Sequence, residues 1–443
     1  MRKITAQKKL DDFNCKTHQK ESIPKSKTDQ KEVTSKSKTS QIGAVSKSKK
    51  DKKNTIPESK TRQKRLAVAR MKQFLEDIVA PTLTFNLKHN CRYTSYDLLT
   101  VITNAALCSD FIQNSSDSLQ SWSTSIPDGD TVRRHITRYG LDELERLFTS
   151  VADLIFASAK EKGLFDKPVD LAIDWTSVRY YGEECEMVLS TEAERGTTKV
   201  FQFATIAIVE KDRRLTLKAL PLESRKSDYL QGIVKKLLEY AMTKVDINIV
   251  YMDRGFFSGA VISTLQTMNV FYLMPAVRNQ KIQKMAEQVK EPTTCRYKMK
   301  TRNGRVTFKL VLFKHTQSIK RKGQITKTKA IGAFATNLSD NIKDIQQLYA
   351  LYSKRWGIET SYRMCSVFRA KTKAKHYQIR LFLFLFSVSL YNLWILFNAH
   401  LVSSVDQIIA EKTKMTSISF LFTLVLILIG PLAADSLVTL FNV

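Results

Sequence analysis

Three carboxylates stand where a carboxylate is costly unless it has a partner. Asp174 lies inside an apolar run (169–178), Asp253 ends a second one (247–253), and Glu359 lies in a stretch with a helical pattern. A buried carboxylate is normally paired with a cation or bound to a metal. Three acids that met at one point would form an all-oxygen site suited to Mg²⁺. Two such ions can drive an in-line attack on a phosphodiester.

The charge of the chain favours a polyanionic partner. The 443 residues carry a formal net charge of +29. Residues 1–65 hold 20 Lys or Arg against 7 Asp or Glu, and the rest of the chain is basic as well. A positive field of this size attracts nucleic acid and makes the binding sensitive to salt. The alternative is a generally basic surface, or a tail that only aids solubility.

The cysteine pattern excludes the common zinc and disulfide classes. The six cysteines are scattered, with no Cys-x-x-Cys pair and no Cys/His cluster at zinc-finger spacing. Free thiols in a reducing intracellular compartment fit best. The basic start of the chain is not followed by an apolar segment, so it is not a secretory signal.

The composition and periodicity divide the chain into six parts. We predict an α/β protein with a mixed-sheet core, an N-terminal helical domain and a disordered basic tail. In order, the parts are the basic tail (1–65), a helical DNA-binding domain (66–163), the first part of the core (164–276), a β-strand insertion (277–338), the second part of the core with the helix of Glu359 (339–405), and an apolar C-terminal segment (406–443).

The helical domain offers a candidate DNA-binding element. Helices are predicted over 66–83 and 95–113, and two or three more within 126–163. One of these last helices carries basic side chains on the side expected to be exposed, and its expected N-cap is an acidic or hydroxyl residue. The basic residues are Arg133 and Arg134 with Arg138, and the cap is Asp130 or Thr131. This helix could grip a DNA end. The alternative is a plain helical bundle with a solvated basic face.

The core pattern places two of the acids side by side. The predicted order is β-β-β-α-β-α-β over residues 169–276, with Ser227 as the cap of the first helix. This order describes a mixed sheet with the first strand in the centre, as in ribonuclease H and its relatives. The first and fourth strands are then neighbours, so Asp174 lies beside Asp253.

The insertion is expected to be a basic β-structure. A hairpin over 295–314 has Asn303-Gly304 as its turn signal, and another strand covers 327–338. A long helix is predicted after Ser339-Asp340, and it carries Glu359. In that helix five polar or aromatic residues at steps of three and four would share one face, namely Tyr352, Arg355, Glu359, Arg363 and Ser366. A solvated face is the alternative, although Tyr352 suits it poorly.

These motifs together resemble the DDE transposases of bacterial and archaeal insertion sequences, in the branch with a β-insertion before the Glu. The likeness covers about residues 95–400. It is carried by Ala-Ile-Asp-Trp-Thr around Asp174, by Asp253 followed by Arg-Gly-aromatic, by Thr-Asn-Leu before a helix, and by Tyr352, Arg355 and Glu359 in the Tyr-x-x-Arg-x-x-x-Glu signature.

The resemblance implies a mechanism and a set of partners. Asp174, Asp253 and Glu359 would bind two Mg²⁺ or Mn²⁺ ions for hydrolysis and strand transfer. The phosphate backbone would be held by basic and tyrosine side chains, namely Tyr352, Arg355, Arg254, and Arg363 or Lys371. The partners would be the terminal inverted repeats of the element and target DNA, with a homodimer in the synaptic complex. We expect a cytoplasmic, nucleoid-associated enzyme of a prokaryotic host, without a membrane.

Three departures from the family pattern affect this interpretation. Ser366 stands where the signature continues with Lys, so Arg363 or Lys371 would have to make that phosphate contact. Trp175 stands where relatives often carry a Gly, so the backbone conformation beside Asp174 is expected to differ, while the acid itself is retained. The insertion has no Trp, so stacking on a flipped base would need Tyr297, Phe308 or another group.

Two apolar C-terminal segments support a rival class. Residues 381–405 and 416–434 contain no Lys, Arg, Asp or Glu, and each approaches the ~20 residues needed to cross a bilayer. We predict a core helix for the first and a packing or dimer contact for the second. The alternatives to an active transposase are an inactive DNA-binding derivative and a membrane protein with a basic soluble domain.

Overall fold

The structure is a computed structural model that describes residues 69, 71–73, 83–121, 125–211, 213–302, 304–321, 324–338, 345–403 and 414–429. The expected basic tail and most of the first expected helix lie outside these residues. After a helical stretch at 71–73, the chain forms the helices α1 (Ser95–Leu107), α2 (Ile112–Gln120), α3 (Gly129–Thr137) and α4 (Leu141–Glu161).

The N-terminal helices begin and end at residues that the sequence analysis assigned differently. Thr94 and Asp97 form a capping box that starts α1. The single helix predicted over 95–113 is wrong, because Ser109 has a positive φ of 49° and separates α1 from α2. The cap of α3 is Asp128, whose side chain accepts a hydrogen bond from the Asp130 amide at 2.7 Å. Asp130 therefore lies inside the first turn.

The strands and the remaining helices follow in one continuous chain order. They are β1 (Val169–Tyr180), β2 (Leu189–Glu194), β3 (Thr197–Ile208), β4 (Thr216–Leu222), α5 (Ser227–Met242), β5 (Ile247–Met252), a 3₁₀ turn (Arg254–Phe256), α6 (Gly259–Thr267), β6 (Tyr272–Pro275), α7 (Gln280–Gln288), β7 (Thr293–Thr301), β8 (Gly304–Arg321), β9 (Gln324–Thr336), α8 (Ile345–Ser353), α9 (Trp356–Val367), α10 (Tyr377–Ser403) and α11 (Ser417–Ile429).

One mixed sheet organises these elements, and β1 lies inside it. The order is β2-β3-β1-β5-β6-β9-β8-β7, with β4 also paired to β3. β1 is antiparallel to β3 and parallel to β5, where Ile173 pairs with Met252. The next residues along these two strands are Asp174 and Asp253. The predicted ribonuclease H-like core, with its central first strand and its neighbouring acids, is confirmed.

The strands of the predicted insertion continue the core sheet. β9 pairs antiparallel with β6, with Thr336 opposite Leu273, and β8 and β7 follow at the edge. The β7–β8 hairpin closes with Thr301 opposite Gly304. Gly304 has a φ of +128°, which residues with a Cβ rarely adopt. Asn303, the other half of the expected turn signal, lies outside the described residues.

Three local features differ from the predictions. β2 was not predicted, because its side chains are mostly exposed and lack an apolar alternation. The N-cap of α5 is Lys226, so Ser227 is the first helical residue. The long helix expected around Glu359 is two helices, α8 and α9, which are separated at Lys354-Arg355.

The sheet is covered on both faces, and α8 and α9 cover the face that carries Asp174. Alternate residues of neighbouring strands, such as Ala172 and Tyr251, pack there against Tyr352 and Ile358. The opposite face, with Ile173, packs in the main core together with α5. This arrangement brings the helix of Glu359 directly over the central strands.

The two apolar C-terminal segments form helices that pack inside the protein. By length and composition α10 could cross a membrane, and 89% of its most apolar window is buried. Asn392 of α10 holds the backbone of Thr216 in β4 through two hydrogen bonds of 2.8 and 2.9 Å. α11 packs on α1, and its Phe420 contacts Phe397 of α10. Packing in the core thus accounts for the absence of charges in the described parts of both segments.

Candidate active site

Asp174 and Asp253 come together over the central strands of the sheet, from different positions along those strands. Asp174 lies in the middle of β1 and is 9% exposed, because α9 covers it. Asp253 is the first residue after β5 and precedes the 3₁₀ turn in an extended conformation. β1 and β5 are parallel and Ile173 pairs with Met252, so Asp174 and Asp253 lie at the same level along the two strands.

Arg355 joins the acid of the strand to the acid of the helix. Its Nη1 donates to Asp174 Oδ2 at 3.0 Å, and its Nη2 donates to Glu359 Oε1 at 2.8 Å. Arg355 is the residue before α9 and is 5% exposed, while Glu359 lies in the first turn of α9. The bridge fixes Glu359 over β1.

The site consists electrostatically of three neighbouring acids around the buried guanidinium of Arg355. Burial raises the pKa of Asp174 to about 7; Arg355 opposes the rise, and Asp253 and Glu359 add to it. Burial opposes the charge of Arg355, but Tyr352 and the three acids outweigh it and raise its pKa. Asp174, Asp253 and Glu359 therefore share one electrostatic environment.

Two tyrosines hold the helices in place over this environment. The Tyr352 hydroxyl donates to the carbonyl of Met252 at 3.3 Å, directly before Asp253, and the Arg355 guanidinium lies 5.6 Å from its ring centre. The Tyr362 hydroxyl lies 2.7 Å from Thr205 Oγ1 on β3. The first contact restricts the end of α8, and the second restricts α9, which carries Glu359.

The carboxylate oxygens are donors of the type that a divalent cation prefers. In this structure they are bonded to protein groups. The donors are oxygens, as hard cations require. Within the described ranges no three His, Cys, Asp or Glu side chains enclose a single cation. The oxygens of Asp174 are bonded to Arg355 and to the Trp175 amide, at 3.0 and 2.8 Å. In this structure the Arg355 guanidinium supplies the positive charge that a metal would bring.

Other predicted site residues lie outside this cluster. Arg363 is exposed on α9, and Lys371 is exposed in the loop after it, with its amide bonded to Asp110 O at 2.9 Å. Arg254 is half-buried on the turn after Asp253, and its charge acts on Arg278. The eight residues from Arg355 to Arg363 turn about 80° beyond two full turns of a helix, so Arg363 points away from the face of Arg355.

The residues expected to contact nucleic acid through the insertion and through α3 also have clear positions. Tyr297 and Phe308 are 5% and 4% exposed and pack on each other with ring centres 5.5 Å apart. Neither ring is available in this structure to stack on a base, so such stacking would need another group. On α3, Arg133 pairs with Asp130, and Arg134 is exposed.

The sequence analysis missed a second charged cluster on the same strand. Asp170 is 2% exposed and accepts hydrogen bonds from Asn248 Nδ2 at 2.7 Å and from Lys354 Nζ at 2.5 Å. Asp170 precedes Asp174 by four residues, so both side chains lie on one face of β1. Lys354 directly precedes Arg355. The spacing of the two acids along β1 was the signal in the sequence.

Replacing Lys354 is expected to lower the free energy of unfolding more than replacing Asp170. Lys354→Met leaves the Asp170 carboxylate buried without its cation, so we expect a loss of about 3 kcal/mol in the free energy of unfolding. Asp170→Asn leaves Lys354, whose side chain is 47% exposed, free to reach water, so we expect about 1 kcal/mol. Urea denaturation measures both values. Equal losses would contradict this asymmetry.

Trp175 lies on the opposite side of β1 from Asp174 and packs on the turn that follows Asp253. Its ring centre is 4.7 Å from that of Phe256, and β1 continues its regular pairing, with Trp175 opposite Ala204. The local backbone is therefore undisturbed by the Trp. A Cβ on Gly255 would lie 2.1 Å from Trp175 Cη2, so only glycine fits beside this ring.

Gly255→Ala is expected to lower the free energy of unfolding by about 1–3 kcal/mol, because the added methyl group overlaps a packed ring. Adding Trp175→Leu should restore part of the loss by opening that space. Thermal unfolding of both variants measures this. Trp175→Leu alone is the control, and an undiminished loss in the double variant would contradict the packing argument.

The fold and the site define a class of protein. A ribonuclease H-like sheet with acids on two neighbouring strands and a third on the covering helix is typical of enzymes that process nucleic acid. The family described as "Transposase DDE domain" matches residues 166–393, more than half of the chain. The chain belongs to this family and is a DDE transposase.

One solved transposase structure has a similar fold, and a second transposase is matched over a smaller part of the chain. A piggyBac transposase synaptic complex with hairpin DNA is 12% identical, with a TM-score of 0.55, over 84% of this chain and 81% of that chain. A Mos1 transposase paired-end complex with the left transposon end is 14% identical over 42% of this chain and 60% of that chain, with a TM-score of 0.18. No curated protein matches this chain.

Proposed function

We propose that this transposase cuts DNA at the ends of its mobile element and joins the freed ends to target DNA, with Asp174, Asp253 and Glu359 as the catalytic acids. The observation that carries the proposal is the Arg355 bridge between Asp174 and Glu359. This bridge lies beside the C-terminal end of β5, which Asp253 follows. It supports convergence of one acid from each of three elements.

These acids are proposed to hold two Mg²⁺ or Mn²⁺ ions. Such ions activate an attacking oxygen and stabilise a leaving oxygen. For the acids to accept them, Arg355 must release its bonds to Asp174 and Glu359. The freed guanidinium then suits a DNA phosphate, since it presents the same pair of donors to phosphate as to carboxylate. Arg254, next to Asp253, adds a second positive charge.

The reaction follows from the chemistry of the phosphodiester. Water attacks the phosphorus at the element end, and the bond to the leaving oxygen breaks as the new bond forms, which frees a 3′-OH. That hydroxyl then attacks a phosphodiester of target DNA in the same way. An attack on the opposite strand, which gives a hairpin, is a further route consistent with the resemblance.

The origin and the assembly are part of the proposal. We infer an insertion-sequence transposase of a bacterial or archaeal host, acting on DNA in the cytoplasm as a homodimer that holds two element ends. The net charge of +29 and the mostly buried α10 support a DNA partner and a protein without a membrane anchor.

The test is cleavage of a plasmid that carries the gene with its native flanks. Purified protein is added with Mg²⁺, with Mn²⁺, or with EDTA, and the ends are mapped. Cuts at the element ends that require a metal would support the proposal. Binding of the ends without cutting would favour an inactive derivative, in keeping with Ser366 at the position of the family Lys.

A further inference from the structure

A second ion pair connects the turn before α9 to β1, next to the Arg355 bridge. Lys354 Nζ donates to Asp170 Oδ2 at 2.5 Å, and the following residue, Arg355, donates to Asp174 Oδ2 at 3.0 Å. The two acids lie on one face of β1, about 13 Å apart along the strand. Two consecutive cations therefore attach the turn between α8 and α9 to β1 at two separate points.

Asp170, the acid of this Lys354–Asp170 pair, is fixed in the core. Asp170 is 2% exposed, and its side chain also accepts a hydrogen bond from Asn248 Nδ2 on β5 at 2.7 Å. Its backbone carbonyl accepts a hydrogen bond from the amide of Val209, directly after β3, at 3.0 Å. β3 and β5 are the two neighbours of β1 in the sheet. A group that bonds to Asp170 is therefore held at a defined position relative to three strands.

The chain directly after Lys354 lies close to the same part of the sheet. The Gly357 amide donates to the Lys354 carbonyl at 2.9 Å. A Cβ on Gly357 would lie 2.8 Å from the carbonyl oxygen of Val209, which leaves no room for a side chain there. Gly357 and Glu359 both lie in the first turn of α9. The Lys354–Asp170 pair and this close contact thus fix the turn that carries Glu359.

The Lys354–Asp170 pair gains importance when Arg355 changes partners. In the proposed function Arg355 leaves the acids so that they can hold metal ions. Among the residues that the structure describes, Lys354 is then the cation of this turn that still pairs with an acid of β1. Tyr362, bonded to β3 at 2.7 Å, holds α9 on the other side of Glu359. Glu359 therefore lies between two contacts that the release of Arg355 does not break.

We propose that Lys354 and Asp170 are positioning residues for Glu359, and that their bond keeps the first turn of α9 over β1 while Arg355 exchanges the acids for a phosphate. This inference rests on the proposed function, because it requires a metal to replace Arg355 at the acids. Neither residue contacts the metal in this role. A carboxylate on a helix that can shift binds a cation less tightly, since the groups that orient a metal ligand contribute to the affinity.

The test is Mn²⁺ binding to the purified protein without DNA, with free Mn²⁺ measured by electron paramagnetic resonance. Lys354→Met should raise the half-saturating Mn²⁺ concentration by about tenfold or more, as is typical when a group that orients a metal ligand is removed. Asp170→Asn breaks the same ion pair with a smaller loss of stability and should raise the concentration several-fold. Lys354→Arg keeps a cation for Asp170 and should stay within about twofold of the parent.

A variant that loses stability elsewhere separates positioning from a general loss of structure. Leu237→Ala truncates a fully buried side chain of α5, at the opposite face of the sheet, and should bind Mn²⁺ like the parent. Circular dichroism selects a temperature at which the variants are folded, and if Lys354→Met is unfolded throughout, Asp170→Asn decides. Mn²⁺ binding by these folded variants equal to that of Leu237→Ala would overturn the inference alone. A parent that binds no Mn²⁺ would overturn the proposed metal site, and this inference with it.

Discussion

Asp253→Asn is expected to reduce metal-dependent cutting of the element ends by about 10³-fold or more, while the affinity for the ends stays within a few-fold of the parent. The amide keeps the volume of the side chain but removes the charge that holds a cation, which contributes several kcal/mol to the transition state. End-labelled DNA with Mg²⁺ or Mn²⁺ measures the rate, and a gel-shift assay measures the affinity.

Asp246→Asn is the matched control for this change. Asp246 is exposed directly before β5, the same strand that ends at Asp253. The control should cut at the parent rate. Cutting by the Asp253→Asn variant at a tenth of the parent rate or faster would remove Asp253 from the catalytic acids, although the chain would still belong to the DDE family.

Arg355→Met is expected to destabilise the metal-free protein by about 3–5 kcal/mol, because two buried or half-buried carboxylates lose their shared cation. A divalent metal should then stabilise the variant more than the parent, since the guanidinium no longer competes for the same oxygens. Urea denaturation in EDTA and in Mn²⁺ measures both effects. This difference in response to metal is specific to a guanidinium that stands where an ion would bind.

The same variant should also cut slowly, because the freed guanidinium is the proposed phosphate contact. Lys236→Met, at an exposed lysine on α5 at the opposite face of the sheet, serves as the control and should behave like the parent in both assays. An equal gain in stability from metal in the parent and in Arg355→Met would show that Arg355 and the ion do not share the acids.

The meeting of Asp174 with Asp253 could be predicted because it depends on chain order alone. Two apolar strands in a β-β-β-α-β series are neighbours in this type of core, and an acid that ends or interrupts each is visible in the sequence. The bond from Arg355 to Asp174 could not be predicted, because it joins residues 181 positions apart. The four-residue spacing of Arg355 and Glu359 is compatible with a pair on one helix face, and the structure shows that Arg355 bonds both acids.

The errors in the helices and the burial of two rings in the insertion have local physical causes. The chain between α1 and α2 contains no Gly or Pro, so the positive φ of Ser109 left no pattern to recognise. The break at Lys354-Arg355 arises where two cations bond two acids of β1, which is a tertiary effect. Tyr297 and Phe308 alternate with polar or charged residues, which predicts a two-faced strand but not which face packs inside.

The pairing of β9 with β6 makes the insertion a rigid continuation of the core sheet, not a separate mobile segment. Because β6 also pairs with β5, the backbone from the edge strand β7 to Asp253 is one hydrogen-bonded body. A one-residue slip anywhere along this path would turn whole rows of side chains to the wrong face. A force applied to the β7–β8 hairpin is therefore transmitted to β5, the strand before Asp253, through continuous strand pairing.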